Sequence, residues 1–349
     1  MMTGNNKTWN DQALVRPRVC VLILNWNGKQ DTLECLASVS KMAYDKLDIL
    51  VVDNGSADDS VQAVREGYPN AAVIETGANL GFAEGNNVGI RWALAHGADY
   101  VLLLNNDTTV DEDLINSLVA AAERYPAGGI FGPKIYYHAD PARIWYAGGV
   151  WNEDKKYFEQ KGDGEVDKGQ YDAPGPTEFV IGCAMFIRSE VFKRIGLLEP
   201  KFFLNYEEID FCTRARAAGF ENIYAPTGKL WHKISVSFGG EESPLKIYFT
   251  FRNRLLWAER NLSIGRILGV HWSVYRSSVP KFLMPLLQKN SGDSSLKRRL
   301  WAFTSAIRSP ANRAWLKGIR DYWFRRFGNC PEDVWELQRQ WKVLRKRIP

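Results

Sequence analysis

Four short apolar runs, each followed by helical spacing, constrain this chain more than any other feature in it. Val19–Leu24 is a continuous apolar run rich in β-branched residues and reads as a buried parallel strand. Residues 29–41 then place Leu33, Leu36 and Val39 on one helical face. Asp48–Val52, Ala72–Glu75 and Tyr100–Leu104 read as the next strands. Helical stretches lie between and after them: one behind a capping box at Ser56 and Asp59, one within Gly81–His96, and one at Leu114–Tyr125. Strands alternating with helices of roughly 10–15 residues predict an α/β fold with a parallel sheet. Three of the four strands stop at amide or acid side chains: Asn25, Asp53 and the triplet Asn105, Asn106 and Asp107. In such sheets the carboxyl edge is where ligands bind. One carboxylate flanked by two amides suits a divalent cation that also carries phosphate oxygens. The plainer alternative is a strand followed by a turn.

The rest of the chain is less periodic. Residues 129–229 read as largely irregular, with a strand at Phe179–Ile187 interrupted by small residues. Short helices start at Ser189 and Glu207, and the stretch after residue 240 reads as helices with aromatic and basic faces. A chain of 349 residues suits one large domain and a smaller one. The five cysteines are odd in number and far apart, which predicts reduced thiols in a cytoplasmic setting. Met1–Arg18 lacks the apolar core of a signal peptide, and no uninterrupted apolar run reaches the ~18 residues of a spanning helix. A net charge of +5 does not by itself imply nucleic acid, and no nucleic-acid partner is expected. From Leu296 onward, however, 14 Lys/Arg stand against 4 Asp/Glu among several tryptophans. That balance fits an anionic surface or partner. Residues 262–287 mix apolar and basic side chains, which fits membrane contact, core packing or an oligomer interface.

Several local patterns carry two readings each. Asp53 ahead of Asn54, Gly55 and Ser56 can accept from a pyrimidine imide or a ribose, or form an Asx turn. The glycines at 81, 85 and 89 open a helix whose N–H groups can hold an anion, or they make a simple turn; no Walker sequence follows. Glu207, Glu208 and Asp210 put three carboxylates within four residues. Crowded acids raise a pKa, as a catalytic base needs, or they form a solvated first helical turn paired with Arg214 and Arg216. His232 is a candidate metal ligand or a structural histidine. Phe249–Arg254, with Arg252, Asn253 and Arg254, fits phosphate or acceptor binding, or a basic helix face.

In order and spacing, these pieces resemble the family-2 glycosyltransferases with a GT-A fold, in their bacterial rhamnosyltransferase-like branch. The matching segments are V-L-I-L-N-W-N-G at 21–28, V-V-D-N-G-S at 51–56, N-L-G-F-A-E-G-N-N at 79–87 and L-L-N-N-D at 103–107. They continue with G-C-A-M at 182–185, Y-E-E-I-D at 206–210, the arginines before Gly219, and W-H at 231–232. The resemblance implies a Rossmann-like nucleotide-sugar fold with a mainly helical C-terminal extension. The implied layout is a tail over 1–17, a catalytic domain over 18–245 and a basic, aromatic helical region over 246–349. Residues 18–130 would form the nucleotide-binding half and 131–245 the acceptor half. It implies that Asn25, Asp53, Asn54, Asn86, Asn105 and Asn106 face a nucleotide-sugar. Asp107 and His232 would hold a divalent metal, Mg²⁺ or Mn²⁺. Glu208 would be the base, with Glu207 and Asp210 as alternatives. The implied reaction is inverting transfer to a hydroxyl of a bacterial cell-surface glycan or lipid-linked precursor. The implied donor is dTDP-rhamnose, with UDP-sugars behind it, at the inner face of the cell membrane. A sugar nucleotidyltransferase and a non-catalytic binding protein on the same scaffold are the competing classes. The first should carry a basic, glycine-rich loop after strand one, where this chain has Asn25–Gly28.

Overall fold

The computed structural model describes residues 16–234, 243–287, 304–305 and 307–345. Most of the N-terminal tail and part of the basic stretch after Leu296 therefore lie outside the described residues. The first half alternates as the apolar runs predict: β1 (Val19–Asn25), α1 (Lys29–Val39), β2 (Leu47–Asp53), α2 (Ser60–Gly67), β3 (Ala72–Glu75), α3 (Gly81–Ala95) and β4 (Tyr100–Asn105). β4, β1, β2 and β3 lie side by side and parallel. β1 and β4 are buried over almost their whole length, because helices cover both sheet faces. The register sets Asn25 beside Asp53 on β2, and Leu24 beside Asn105 on β4. The strand-end amides and acids thus share one edge.

α3 lies very close to the sheet. A Cβ at Gly85 would stand 2.8 Å from Leu24 Cδ1, and one at Gly89 would overlap the Leu22 side chain. These glycines serve backbone approach. The expected capping box is not formed. Ser56 Oγ accepts from the Asn27 N–H (2.8 Å), while the Ser60 N–H that opens α2 donates to Asp58 (3.2 Å).

Residues 129–229 are more ordered than their sequence suggests. β5 (Thr108–Val110) and α4 (Leu114–Arg124) lead into β6 (Gly128–Tyr137). Then follow β7 (Asp140–Tyr146), β8 (Gly149–Asn152), β9 (Tyr157–Gln160), β10 (Gly175–Pro176), β11 (Ala184–Arg188), α5 (Ser189–Ile195), α6 (Glu207–Ala217) and β12 (Glu221–His232). β6 hides its strand character because Gly132, Pro133 and Lys134 interrupt its apolar pattern. Lys134 is nonetheless fully buried, paired to Asp167 (3.0 Å) and Asp172 (2.5 Å). β12 carries Pro226 and Gly228 at a register shift between Ala225 and Lys229, where a bulge tolerates both. The expected strand at Phe179–Ile187 narrows to β11, which runs antiparallel between β4 and β6 and makes the sheet mixed.

Beyond β12 the described residues are mainly helical, as predicted: α7 (Pro244–Asn261), α8 (Ile264–Leu287), α9 (Pro310–Trp323) and α10 (Glu332–Arg345). α7 joins two cores. Its Leu255, Leu256, Trp257 and Ala258 enter the main core, while Leu245, Tyr248 and Phe249 form a second core with Phe203, Ala314, Val334 and Leu337. All five cysteines are buried and free.

Candidate active site

The carboxyl ends of β1 and β2 form a closed hydrogen-bond hub around Asn25. Asn25 Nδ2 donates to Asp53 Oδ1 (2.8 Å) and Ser56 Oγ (3.1 Å). Its Oδ1 accepts from Thr32 Oγ1 (2.9 Å), Gly28 N (3.2 Å) and Asn106 Nδ2 (3.3 Å). An amide offers two donors and one carbonyl, so the capacity of Asn25, 1% exposed, is spent inside the protein. In this arrangement Asn25 ties the strand ends together. Asn54 is held likewise. Its Nδ2 donates to Asn79 Oδ1 (3.2 Å) and the Gly81 carbonyl (3.1 Å), and its Oδ1 accepts from the Leu80 N–H (2.9 Å). Asp53 accepts from Asn25 and from the Ser56 N–H (2.9 Å), and its carboxylate keeps further lone pairs. Asn106 donates to Thr32 Oγ1 (3.0 Å) as well as to Asn25. Asn86 is buried on α3, with Nδ2 on the Phe82 carbonyl (2.8 Å). Thr32, central to the hub, was not singled out by sequence, and Ser56 was read there as a helix cap. Thr32 sits on α1, and only the fold shows that its side chain faces β1.

The anion-binding reading of the α3 N-terminus fails for the same physical reason. The N–H groups of Leu80, Gly81 and Phe82 are taken by Asn54, Asn79 and the Phe203 carbonyl (2.6 Å for the last), and that of Ala83 also points at Phe203 (3.4 Å). Gly81 has φ +78°, and a Cβ there would stand 2.6 Å from the Phe203 carbonyl oxygen. The glycine is needed for a left-handed turn against another segment.

Asp107 follows β4, and His232 ends β12. Pairing of β5 with β12, His232 opposite Thr108, brings them together. His232 Nε2 lies 3.0 Å from Asp107 Oδ1, and both side chains are buried. Burial works to raise the Asp107 pKa, but the hydrogen bond and charge of His232 prevail and hold it below the usual carboxylate value. His232 Nδ1 is buried with no partner, and the Trp145 ring packs 4.5 Å from the imidazole. Two such donors fit a hard divalent ion: cis ligands of an octahedral ion with bonds of ~2.1 Å stand about 3.0 Å apart. Among the described residues no group of three or more His, Cys, Asp or Glu is arranged around a metal. The remaining coordination positions would fall to a ligand's oxygens and water. Lys233 is bound to Asp31 (2.7 Å) and Glu34 (2.5 Å).

The three acids at the start of α6 separate into two roles. Asp210, 0% exposed, accepts from Arg214 Nε (2.7 Å), Asn261 Nδ2 (2.9 Å) and Arg260 Nε (3.1 Å). With both oxygens held by cations and an amide, Asp210 anchors the helix. Glu207 and Glu208 are different. Each has a buried Oε2 without a partner. Burial, then the charge of Glu208, pushes the Glu207 carboxyl well above the usual range, and burial raises that of Glu208 too. Asn205 Nδ2 and Tyr206 Oη, just before them, are also buried and unpartnered. A cluster of unsatisfied polar atoms in one place signals a site that a polar ligand completes.

Gly182 and Cys183 connect this acid pair to the β4 triplet. A Cβ at Gly182 would stand 3.6 Å from Glu208 Cβ, and the Cys183 carbonyl accepts from the Asn105 N–H (2.9 Å). Neighbouring Cα atoms are ~3.8 Å apart, so Glu208 and Asn105 flank the same two residues. By contrast, Arg252 and Asn253 are fully buried, and Arg254 is nearly so. The expectation that they bind phosphate or an acceptor is overturned.

A mixed sheet led by a 3-2-1-4 parallel unit, with polar strand ends, an Asp–His pair and a buried acid pair at one edge, defines a GT-A glycosyltransferase. The glycosyl transferase family 2 model matches residues 20–196, and the chain belongs to that family. It is 28% identical over 256 residues to the low-salt glycan biosynthesis hexosyltransferase Agl10 of Haloferax volcanii, covering 72% of this chain and 78% of that one. It is 27% identical to the N-acetylglucosaminyl-diphospho-decaprenol L-rhamnosyltransferase of Mycobacterium tuberculosis, over 58% of this chain and 72% of the other. With the dTDP-rhamnosyl transferase RfbF of Shigella flexneri it shares 24% identity over 83% and 95% of the two chains. In fold it is similar to the mannosyltransferase PcManGT of Pyrobaculum calidifontis, solved with GDP-Man and Mn²⁺, at TM-score 0.51 and 16% identity over 96% of this chain and 82% of that one. The protein is a glycosyltransferase of glycan biosynthesis, and the nucleotidyltransferase and binding-protein readings fall away.

Proposed function

We propose that this enzyme moves L-rhamnose from dTDP-rhamnose, with inversion, to a hydroxyl of a bacterial surface glycan or its lipid-linked precursor. The observation that carries the chemistry is the bridge of Gly182 and Cys183, which sets the acid pair beside the strand-end triplet. One cleft then holds a base and a diphosphate site. The rhamnosyl donor is supported by two relatives named for rhamnosyl transfer. The catalytic unit is 18–245, and the helical region from 246 supports it through α7.

Glu208 takes the proton of the acceptor hydroxyl as that oxygen bonds to the anomeric carbon. The bond from that carbon to the diphosphate breaks on the opposite side. A carboxylate with a raised pKa is a stronger base than a solvated one. Glu207, whose protonated form is favoured by burial and by the charge of Glu208, hydrogen-bonds the acceptor. Asp53 accepts from the base or ribose of the nucleotide, and Asn86, Asn105 and Asn106 line the donor side. Asp107 and His232 hold Mg²⁺ or Mn²⁺, which when bound offsets charge on the departing diphosphate.

No helix among the described residues is long and apolar enough to cross a membrane. Ile264, Leu268 and Trp272 are exposed at four-residue spacing on α8, near exposed Trp323 and Phe324 at the end of α9. Arg266 and Arg276 on α8, and Arg325 and Arg326 directly after Phe324, are also exposed. Such a face suits an anionic bilayer at the inner side of the cell membrane, where a lipid-linked acceptor resides. Substituting Leu268, Trp272 and Phe324 with Glu should abolish sedimentation with anionic vesicles; unchanged sedimentation refutes membrane attachment through this face.

The donor is tested by thermal shift against dTDP-rhamnose, UDP-galactofuranose and UDP-N-acetylglucosamine, each with and without Mg²⁺ or Mn²⁺. A selective donor stabilises by mass action. Stabilisation by a UDP-sugar and not by dTDP-rhamnose overturns the rhamnosyl reading.

A further inference from the structure

The segment before the acid pair has an unusual backbone. Phe203, Asn205 and Tyr206 all have positive φ (+63°, +65° and +77°), a region that residues other than glycine seldom enter. Phe203 centres a three-residue turn closed by the Leu204 N–H on the Phe202 carbonyl (2.7 Å), the rare γ-turn of positive φ. α7 holds this segment from about 50 residues downstream in sequence. Asn253 Nδ2 lies 2.7 Å from the Asn205 carbonyl and 2.8 Å from those of Phe202 and Leu204. Its two N–H groups are shared among three acceptors. Arg252 donates to the carbonyls of Gly328 (2.8 Å), Phe202 (3.0 Å) and Lys201 (3.2 Å), and its Nε fixes the amide through Asn253 Oδ1 (2.9 Å). The guanidinium is 0% exposed, and among the described residues no carboxylate forms an ion pair with it. Burying such a charge is costly; here one terminal nitrogen is spent on the Lys201 and Phe202 carbonyls at the start of the turn, the other on Gly328 and Tyr248, and Nε on Asn253.

We infer that Arg252 and Asn253 are positioning residues for the reaction: they hold the positive-φ turn that aims Glu207 and Glu208 into the cleft. The inference rests on the reading of that pair as the acid–base site. It makes the C-terminal helical region part of the catalytic apparatus. The same turn also receives the α3 N-terminus through the Phe203 carbonyl, so the clamp fixes the acid pair relative to the donor half.

The test uses the full chain with Asn253→Ala, Asn253→Ser and Glu208→Gln. It reads release of dTDP from dTDP-rhamnose with water as acceptor, the pH profile of kcat, and calorimetric binding of dTDP. If the donor screen selects a UDP-sugar, that sugar and UDP replace them. The expected result for Asn253→Ala is a fall in kcat of about 10–100-fold, as for a small misplacement of a catalytic group. The acidic limb of the pH profile should move, and dTDP affinity should stay within about twofold. If Asn253→Ala does not fold, Asn253→Ser, which keeps one donor, is read the same way. Unchanged kcat and pH limb, or a loss of kcat matched by an equal loss of dTDP affinity, overturns the clamp. Glu208→Gln separates the two claims: full activity there defeats the acid-pair reading, whereas an inactive Glu208→Gln beside a normal Asn253 variant defeats the clamp alone.

Discussion

The two halves of the cleft solve opposite problems. At the donor end, Asn25, Asp53, Ser56, Thr32 and Asn106 satisfy one another, and all come from the first 110 residues. At the acid end, Glu207, Glu208, Asn205 and Tyr206 leave polar atoms unpartnered, and the backbone beneath them is held by α7. The donor end is rigid by internal satisfaction. The acid end is kept poised by external support, with positive-φ residues that cost about 1–3 kcal/mol each. A site that must grip a constant nucleotide can be complete before the ligand arrives. A site that must take a proton cannot, because a satisfied carboxylate is a poor base.

If this contrast holds, substitutions at the acid end should cost rate, and those at the donor end should cost affinity or stability. Glu208→Gln should lower transfer by about 10²–10⁴-fold with donor binding retained; loss of donor binding as well would erase the distinction. Asp107→Ala should weaken donor binding measured with Mg²⁺ or Mn²⁺ and lower turnover by about 10²-fold, with little change in binding measured without metal. Asn25→Ala removes the hub and leaves Asp53 with the Ser56 N–H as its one remaining partner in the hub, so a stability loss of about 1–3 kcal/mol is expected in denaturant titration. The smallest effect belongs to Glu207. Its folded pKa is raised, so the folded state binds protons more tightly than the unfolded chain. The associated stability is present at acid pH and lost as pH rises through the folded value. Glu207→Gln should therefore raise Tm at pH 8, by about 1–2 °C per kcal/mol in a chain longer than 250 residues, and hardly at all at pH 4. The rate should climb with pH through a pKa above the ordinary glutamate value, because Glu208 acts ionised.

Much of the donor half was legible because local pattern and final structure agree there. Apolar runs became β1 to β4 with nearly unchanged bounds, and the polar residues ending them met at one edge. What sequence missed was direction. Nothing local says that Asn25 and Asn54 point into the protein, or that the α3 N–H groups are already taken by Phe203, Asn54 and Asn79. β6 and β12 were obscured because Lys134, Pro226 and Gly228 break the apolar pattern, and tertiary ion pairs or a bulge absorb each break. Arg252 and Asn253 looked like a basic helix face because the segment they clamp is distant in sequence.

The register shift in β12 has a further consequence for how tolerant this enzyme is to insertions. Side chains alternate across a strand, so the residues skipped between Ala225 and Lys229 set the phase of all that follow. In the present phase the imidazole meets Asp107, and the neighbouring indole stacks 6.0 Å from Tyr136. Gaining or losing one residue there, with the strand otherwise paired as before, would exchange the two. A tryptophan would then face the carboxylate, and the Asp107–His232 pair proposed to hold a metal would be lost without any change in its own residues.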